Sequence, residues 1–317
     1  MQSNATAGVI VVLGTGGTIA GTAGRADDNV GYRAAQLGVE RLVAGLPALA
    51  GTAIECEQVA QLDSKDMDFA TWRRLVLRAA HHLARAEVRG LVVTHGTDTV
   101  EETAYLLQRV LAPVKPVVLT AAMRPATALL ADGPQNLLDA VAVARTPGAR
   151  GVVFVMAGGA FDGVGLRKTH TYRLDAFASG DGGPLGAIEE GRLRRFRDWP
   201  AGQPLGAALV DREEGAWPRV EIVMNHAGAD GGSVRALLAQ GIDGIVVAGT
   251  GNGRVGVRLE AALAEAAAAG VAVRRSTRCA FGVVLGGADD VPERDAGLSA
   301  VQSRVELILE LLAAQRA

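Results

Sequence analysis

Residues 9–21 read Val-Ile-Val-Val-Leu-Gly-Thr-Gly-Gly-Thr-Ile-Ala-Gly, an apolar, β-branched run that ends in a glycine-rich turn. A short apolar run bounded by glycines is typical of a buried strand. Glycines at this place permit a tight turn and the close approach of a ligand, and open α/β sheets bind ligands at the carboxyl ends of their strands. This stretch therefore predicts a central strand of an α/β sheet with a functional site at its end.

The same alternation of strand and helix continues along the chain. Strands are predicted at 53–60, 91–93, 117–120 and 152–156, and helices at 36–44, 69–84, 100–111 and 134–144. This alternation is typical of a doubly wound, mainly parallel sheet. Gly158 and Gly159 then end the last strand, and the polar residues 161–177 indicate an antiparallel hairpin rather than another crossover.

The periodicity disappears between residues 191 and 218, where arginine, proline, glycine and tryptophan accumulate. We interpret this stretch as a linker between two domains. A second, smaller alternation follows, with strands at 220–224, 244–248 and 271–275 and helices at 234–238, 257–269 and 300–314. The sequence thus predicts an α/β protein with a larger N-terminal domain (1–190) and a smaller C-terminal α/β domain (219–317).

The composition argues against several classes of protein. The chain carries 32 Lys and Arg against 34 Asp and Glu, so we expect neither nucleic acid nor a membrane surface as a partner. The five histidines lack metal-ligand spacing, and Cys56 and Cys279 have no partner motif, so we expect no metal site and reduced thiols. Neither a signal peptide nor a membrane-spanning run is evident, which predicts a cytoplasmic protein if Met1 is the native start; a chain from which a signal peptide had been removed would look the same.

A second polar segment, Thr94-His95-Gly96-Thr97-Asp98-Thr99, also ends a predicted strand and opens a helix. A helix N-terminus offers free N–H groups to an anion, and a carboxylate beside it can hold a cation. A zwitterionic amino acid presents both charges. Asp98 is alternatively a helix-capping residue, but Thr99 and Glu102 form a capping-box pattern that already fills this role.

The two threonines of the first segment have two interpretations. A threonine attacks as a nucleophile when another group removes its proton, and its β-branch restricts the hydroxyl to few rotamers. The alternative is that Thr15 and Thr18 only form hydrogen bonds within the turn. A dinucleotide-binding loop fits less well, because the third glycine of that motif would fall on Ile19.

Residues 15–21 and 94–105 together resemble the two signature segments of bacterial L-asparaginases, and residues 123–125, 131–136 and 249–253 are also similar to that family. The resemblance covers nearly the whole chain. It implies hydrolysis of L-asparagine to L-aspartate and ammonia without a cofactor or metal. It also implies a homo-oligomer, a tetramer built as a dimer of dimers.

The resemblance assigns five catalytic residues. Thr18 matches the nucleophile, and Tyr32 matches the tyrosine of a mobile loop that poises the threonine hydroxyl. Thr97 and Lys168 match the second threonine and the lysine of a proton relay. Asp98 is expected to bind the substrate ammonium group and to contact this relay.

The resemblance also assigns substrate contacts. Ser64 matches the serine that binds the α-carboxylate, with Thr97 and Asp98 beside it, and Asn252 matches an asparagine from the neighbouring subunit. Lys65 departs from the family pattern, because several members have a neutral polar residue there. The segment 279–296 matches poorly where the family lends an acidic residue to the neighbouring site, and its candidates for that role are Asp289, Asp290 and Glu293.

Three other functions remain open from the sequence. The first is a dual glutaminase-asparaginase. The second is the amidase subunit of a tRNA-dependent amidotransferase, although that type of subunit carries an extra N-terminal domain and only residues 1–8 precede the first strand here. The third is an amino-acid-binding protein without catalysis, which the presence of every matched catalytic residue disfavours.

Overall fold

The computed structural model describes residues 8–285 and 297–315. The chain divides into two compact units, Met1–Asp211 and Arg212–Ala317. The candidate acidic residues Asp289, Asp290 and Glu293 lie outside the described residues.

The strands of the first unit include every strand that was predicted from its sequence. They are β1 Val9–Gly16, β2 Ile54–Leu62, β3 Val88–Thr94, β4 Val117–Thr120, β5 Val152–Met156, β6 Gly159–Asp162, β7 Leu166–Lys168, β8 Phe177–Ser179, β9 Gly186–Glu189 and β10 Arg192–Arg195. The helices between them are α1 Val39–Ala44, α2 Phe69–Ala84, α3 Val100–Leu111 and α4 Gly133–Ala144. Helix α1 begins at Val39, three residues later than predicted, directly after the extended Gly38.

Within residues 8–211, eight of these strands form one sheet in the order β10-β9-β6-β5-β4-β3-β1-β2. The strands from β5 to β2 run parallel, and β6, β9 and β10 are antiparallel to their neighbours. This arrangement confirms the predicted mainly parallel sheet. Residues 161–177 form no crossover helix, and β7 pairs with β8 in a separate antiparallel ribbon, as predicted.

Both faces of the parallel part of the sheet are covered. Alternate residues of the strands, such as Ile10 and Val92, pack with Leu137 and Val141 of α4. Helices α2 and α3 contact the sheet through β3 and β5. Because β1, β3, β4 and β5 are buried on both faces, they are apolar at nearly every position instead of alternating, whereas the edge strand β2 is partly exposed and carries polar residues.

The first residues of the predicted linker, 191–218, include a strand. Residues Arg192–Arg195 form β10, which pairs antiparallel with β9 and brings Arg192 opposite Glu189. This edge strand is largely exposed, so its sequence lacks the apolar residues by which a strand is recognised. The division between the two units, after Asp211, lies within the segment predicted as the linker.

The second unit is a smaller α/β layer. Within its described residues, three parallel strands lie in the order β11-β12-β13, and they are β11 Val220–Met224, β12 Gly244–Gly249 and β13 Ala272–Thr277. The helices are α5 Gly232–Ala239, α6 Val257–Ala268 and α7 Ala300–Ala314. Ile245 and Val247 of the central strand pack against Leu259 and Leu263 of α6. Across the described residues of both units, no helix is long and apolar enough to cross a bilayer.

Candidate active site

The two glycine-containing turns meet because their strands are neighbours. Gly14 of β1 lies opposite Thr94 of β3, so the residues that follow each strand emerge side by side. Gly17 has a φ of 78°, and a Cβ on it would lie 2.4 Å from the backbone N of Gly96. A Cβ on Gly96 would in turn lie 2.4 Å from Oγ of Ser64. Only glycine fits at either position. The close approach of Gly17 to Gly96, and of Gly96 to Ser64, brings the two turns and Ser64 together.

The structure separates the two threonines of the first turn. The hydroxyl of Thr15 is buried and donates to the carbonyl of Thr94 at 2.9 Å, so it ties β1 to β3. Thr18 is three residues further on, in a short 3-10 turn, and its Oγ1 lies 2.7 Å from the hydroxyl of Tyr32. Thr15 therefore has a structural role, and Thr18 is the candidate nucleophile.

A backbone bridge places Tyr32 against Thr18. Thr22 and Arg33 exchange two hydrogen bonds, each 2.9 Å long, which close the loop between them. Within this loop the carboxylate of Asp28 accepts the N–H groups of Val30 and Gly31. Tyr32 therefore stands at the base of a closed loop, next to the bridge.

The second turn holds a threonine, a lysine and an aspartate in one group. Nζ of Lys168, at the end of β7, donates to Oγ1 of Thr97 at 2.9 Å and to Oδ1 of Asp98 at 2.6 Å. The Lys168 side chain is 19% exposed, whereas that of Asp98 is 52% exposed. The group is thus a buried hydroxyl and a partly buried ammonium with a carboxylate at the surface, accessible to a ligand.

Ser64 joins the second turn through two hydrogen bonds. Its Oγ accepts the backbone N–H of Asp98 at 3.1 Å, and its carbonyl accepts the hydroxyl of Thr99 at 2.8 Å. The capping box predicted for Thr99 and Glu102 is therefore wrong, since the Thr99 hydroxyl makes no bond to its own helix. Tertiary contact with Ser64 replaces the local cap.

The positive charge of Lys65, the residue that departs from the family pattern, is paired with two neighbouring carboxylates. Its ammonium donates to Asp63 and Asp66 at 2.9 Å each, and these bonds, that to Asp66 first, raise the pKa of Lys65. Lys65 is exposed while Ser64 is buried. Its charge is therefore engaged at the surface, beside the serine rather than inside the group.

Comparison with known proteins agrees with this architecture. The model of the N-terminal asparaginase domain matches residues 9–201, and that of the glutaminase/asparaginase C-terminal domain matches residues 219–306. The chain belongs to the asparaginase family.

Individual relatives in the asparaginase family are similar over most of the chain. L-asparaginase 2 of Escherichia coli is 40% identical over 86% of this chain and 78% of its own length. A glutaminase-asparaginase of Pseudomonas fluorescens is 37% identical over 90% of this chain and 80% of its own length. The crystal structure of a probable cytoplasmic L-asparaginase from Campylobacter jejuni aligns with a TM-score of 0.88 at 35% identity, covering 96% of this chain and 95% of that one.

Of the site residues inferred from the asparaginase resemblance, six come together in the first unit, and they are Thr18, Tyr32, Ser64, Thr97, Asp98 and Lys168. Asn252 belongs to the second unit. It follows β12, and its amide pairs with both backbone groups of Leu285. Among the described residues, no group of three or more His, Cys, Asp or Glu side chains is placed to hold a metal ion.

The buried His95 supports the second turn of this asparaginase site from behind. It is fully buried, and its Nδ1–H donates to the carbonyl of Gly96 at 2.7 Å. Burial lowers the pKa of His95 to about 4, so the ring is neutral at physiological pH.

Sequence reasoning missed one residue of this site, Glu101. It lies in the first turn of α3, and burial raises the pKa of its carboxyl group to about 7. A signal was present, because an acidic residue three positions after Asp98 lies on the same side of the helix start. The family resemblance attached no role to it, so it was passed over.

Proposed function

We propose that this protein hydrolyses the side-chain amide of L-asparagine to L-aspartate and ammonia. The observation that carries the proposal is the contact between Gly17 and Gly96. It places the Thr18–Tyr32 hydroxyl pair beside the group formed by Thr97, Asp98 and Lys168. A nucleophile and a charged relay thus face one space at the carboxyl edge of a parallel sheet.

Two residues of this space suit the charged ends of an amino acid. One carboxylate oxygen of Asp98 accepts from Lys168, and the other can accept the substrate ammonium group. Ser64 Oγ accepts from the Asp98 N–H and keeps its own hydroxyl proton to donate to the α-carboxylate. These two contacts orient the substrate so that its amide points to Thr18.

Acylation begins when Oγ1 of Thr18 attacks the amide carbon and its proton passes towards Tyr32. The carbonyl oxygen becomes an oxyanion, which backbone N–H groups of the turns stabilise. The N–H of Gly17 is not among them, since it donates to the carbonyl of Leu62 at 2.9 Å. The C–N bond then breaks, the leaving nitrogen takes up the proton, and ammonia departs from an acyl-threonine ester.

Deacylation uses the second group of residues. A water molecule attacks the ester carbon, its proton passes through the hydroxyl of Thr97, and Thr18 leaves with its hydroxyl restored. Lys168 holds the Thr97 oxygen at 2.9 Å and so fixes the direction of the Thr97 proton. The net reaction consumes one water molecule and releases aspartate.

The direct experiment is an ammonia-release assay of the purified chain with L-asparagine. Turnover is expected without any added cofactor or metal. Absence of turnover at every pH from mildly acidic to alkaline contradicts the proposal. We also propose a cytoplasmic location, which is how the Campylobacter relative is described.

The family contains glutaminase-asparaginases such as the Pseudomonas relative, so selectivity is a second question. Ser64 and Asp98 fix the α-substituents and thereby the distance from Cα to Thr18. Glutamine has one more methylene, which in a closely fitting site costs about 1–3 kcal/mol or about 10–200-fold in kcat/KM. We expect at least about a tenfold preference for asparagine when the two amides compete. Equal specificity constants assign the protein to the dual enzymes.

We propose that the active species is an oligomer, at least a dimer and in its complete form a tetramer, in which Asn252 of one subunit completes the site of another. Asn252 is exposed on the second unit, consistent with a contact outside its own chain. Mixing Thr18→Ala and Asn252→Ala chains is expected to restore activity that neither has alone. One site of each mixed pair then combines an intact Thr18 with an intact Asn252.

The control for this mixing experiment is the molecular mass of the active species. Sedimentation velocity and turnover, measured on the same dilution series, are expected to decline together. A fully active monomer, or mixed chains that recover nothing while they do exchange subunits, contradicts the shared site.

A further inference from the structure

The backbone N–H of Lys168 lies on an edge of the β7–β8 ribbon. Lys168 pairs with Phe177 in the antiparallel register, and the next residue, Thr169, donates its N–H to Ala176 at 2.8 Å. Residues on an antiparallel strand alternate between bonding their partner strand and pointing away from it. The Lys168 N–H therefore points away from β8, and it needs an acceptor from another element.

Glu101 supplies this acceptor. Its carboxyl group receives the hydrogen bond of the Lys168 N–H. Glu101 sits in the first turn of α3, where the helix dipole favours a negative charge. Helix α3 begins directly after the turn that contains Thr97 and Asp98. One helix start thus holds Lys168 at both ends, by its backbone through Glu101 and by its ammonium through Thr97 and Asp98.

We infer that Glu101 is a positioning residue of the catalytic site, which anchors the backbone of Lys168 so that its ammonium stays within hydrogen-bond distance of Thr97. The inference rests on the proposed function, since the relay is assigned there. Lys168 is the last residue of a three-residue strand. A strand this short makes few hydrogen bonds to its partner strand, so it fixes the position of a long side chain only weakly. A shift of about 1 Å in a catalytic group can lower the rate about 100-fold.

The charges around Glu101 come from two elements. Burial is the main cause of its raised pKa of about 7, and the charge of Glu102 on the same helix adds to it. The Lys168 N–H and the charges of Arg167 and Lys168 on β7 act in the opposite direction. Arg167 is buried, which lowers its pKa, and the negative charges of Glu101 and Asp181 act in the opposite direction. The carboxyl group therefore gains its charge, and becomes the stronger acceptor, as the pH rises through about 7.

The first test compares two substitutions in the full chain. Glu101→Leu removes the acceptor at similar volume and is expected to lower kcat at least about tenfold with little change in KM. Glu101→Gln keeps a neutral carbonyl acceptor without a titrating proton, so its kcat is expected to stay, at every pH, near the level to which the wild type partially declines as the pH falls through about 7, and well above that of Glu101→Leu. The control Glu102→Gln is expected to keep kcat and to move that decline to lower pH, because a like charge is gone.

These outcomes discriminate between positioning and other roles. If Glu101→Gln loses as much kcat as Glu101→Leu, the charge rather than the acceptor matters and the inference is overturned. Two variants with wild-type kcat and pH profile also overturn it. If Glu101→Leu fails to fold, the pH profile of Glu101→Gln still decides.

A second test does not depend on asparagine turnover. The chain contains three lysines, Lys65, Lys115 and Lys168, so ¹⁵N-lysine labelling gives a simple amide spectrum that Lys→Arg variants can assign. The Lys168 amide resonance is expected to shift with a midpoint near pH 7, and Glu101→Gln is expected to abolish this shift. The Lys65 and Lys115 amides serve as internal controls. A Lys168 amide that does not titrate, or that titrates equally in Glu101→Gln, overturns the inference even if the proposed function holds.

Discussion

Thr18→Ala is expected to lower kcat for asparagine at least about 1,000-fold, because loss of an essential nucleophile removes several orders of magnitude of rate. The fold should survive. Thr18 lies in a buried 3-10 turn after β1, but its hydroxyl bonds only the Tyr32 hydroxyl rather than a strand, and Thr18→Ala leaves the backbone of the turn unchanged. Ammonia release under saturating asparagine measures the effect, and circular dichroism with thermal melting checks the fold.

Two further variants separate the attacking group from its surroundings. Thr18→Ser keeps a hydroxyl and is expected to retain measurable turnover. Thr15→Val removes the neighbouring buried hydroxyl that donates to Thr94, so it is expected to cost stability, about 1–3 kcal/mol, with a far smaller effect on kcat. If Thr18→Ala keeps a tenth of the wild-type kcat, Thr18 is not the nucleophile and Thr97 becomes the candidate.

The second large effect is expected for Asp98→Asn. This change removes the charge that pairs with Lys168 at 2.6 Å and that we assign to the substrate ammonium. Losing one partner of a hydrogen-bonded charge pair at a binding site costs about 2–5 kcal/mol, which is about 30- to 5,000-fold in kcat/KM. Succinamate, which is asparagine without the α-amino group, should lose much less, since it has no ammonium to pair.

A matched control exists on the surface. Glu265 of α6 pairs with Arg235, and its side chain is 51% exposed against 52% for Asp98, so Glu265→Gln removes a comparable surface pair in the second unit. Exposed pairs contribute about 0–1 kcal/mol, and we expect no change in turnover. Equal losses for asparagine and succinamate in Asp98→Asn would move Asp98 from substrate binding to the proton relay alone.

Much of the fold could be predicted from local signals. The bounds of α2 and α3 agree with the sequence prediction, because each helix has a strong apolar period and begins after a polar residue. The edge strand β10 was missed, because its pairing with β9 is a long-range decision for which four mostly exposed residues carry no apolar signature. Where the local preference for a strand is weak, pairing with the neighbouring strand decides whether the segment becomes a strand.

The residues of the site could be named from the sequence, but not all of their contacts could. The motifs and the family resemblance could name Thr18, Tyr32, Thr97 and Lys168, since each stands at a recognisable place in the chain. Nothing local could show that the Thr99 hydroxyl turns to Ser64, which lies 35 positions earlier. A side chain that can cap its own helix or bond a distant carbonyl is decided by whichever partner the fold brings near.

Local residue patterns specify the order of strands and helices along the chain, the two glycine turns and the residue types that the chemistry requires. The glycine motif alone left both threonines open, and the tertiary structure shows that the Thr15 hydroxyl is tied to a strand while the Thr18 hydroxyl faces a tyrosine, because these contacts depend on the register of β1 against β3. The tertiary structure alone also placed Glu101 under the backbone of Lys168, 67 positions away. The physical reason is that a hydrogen bond is satisfied by distance and direction, which the pairing of distant strands creates and a linear spacing does not encode.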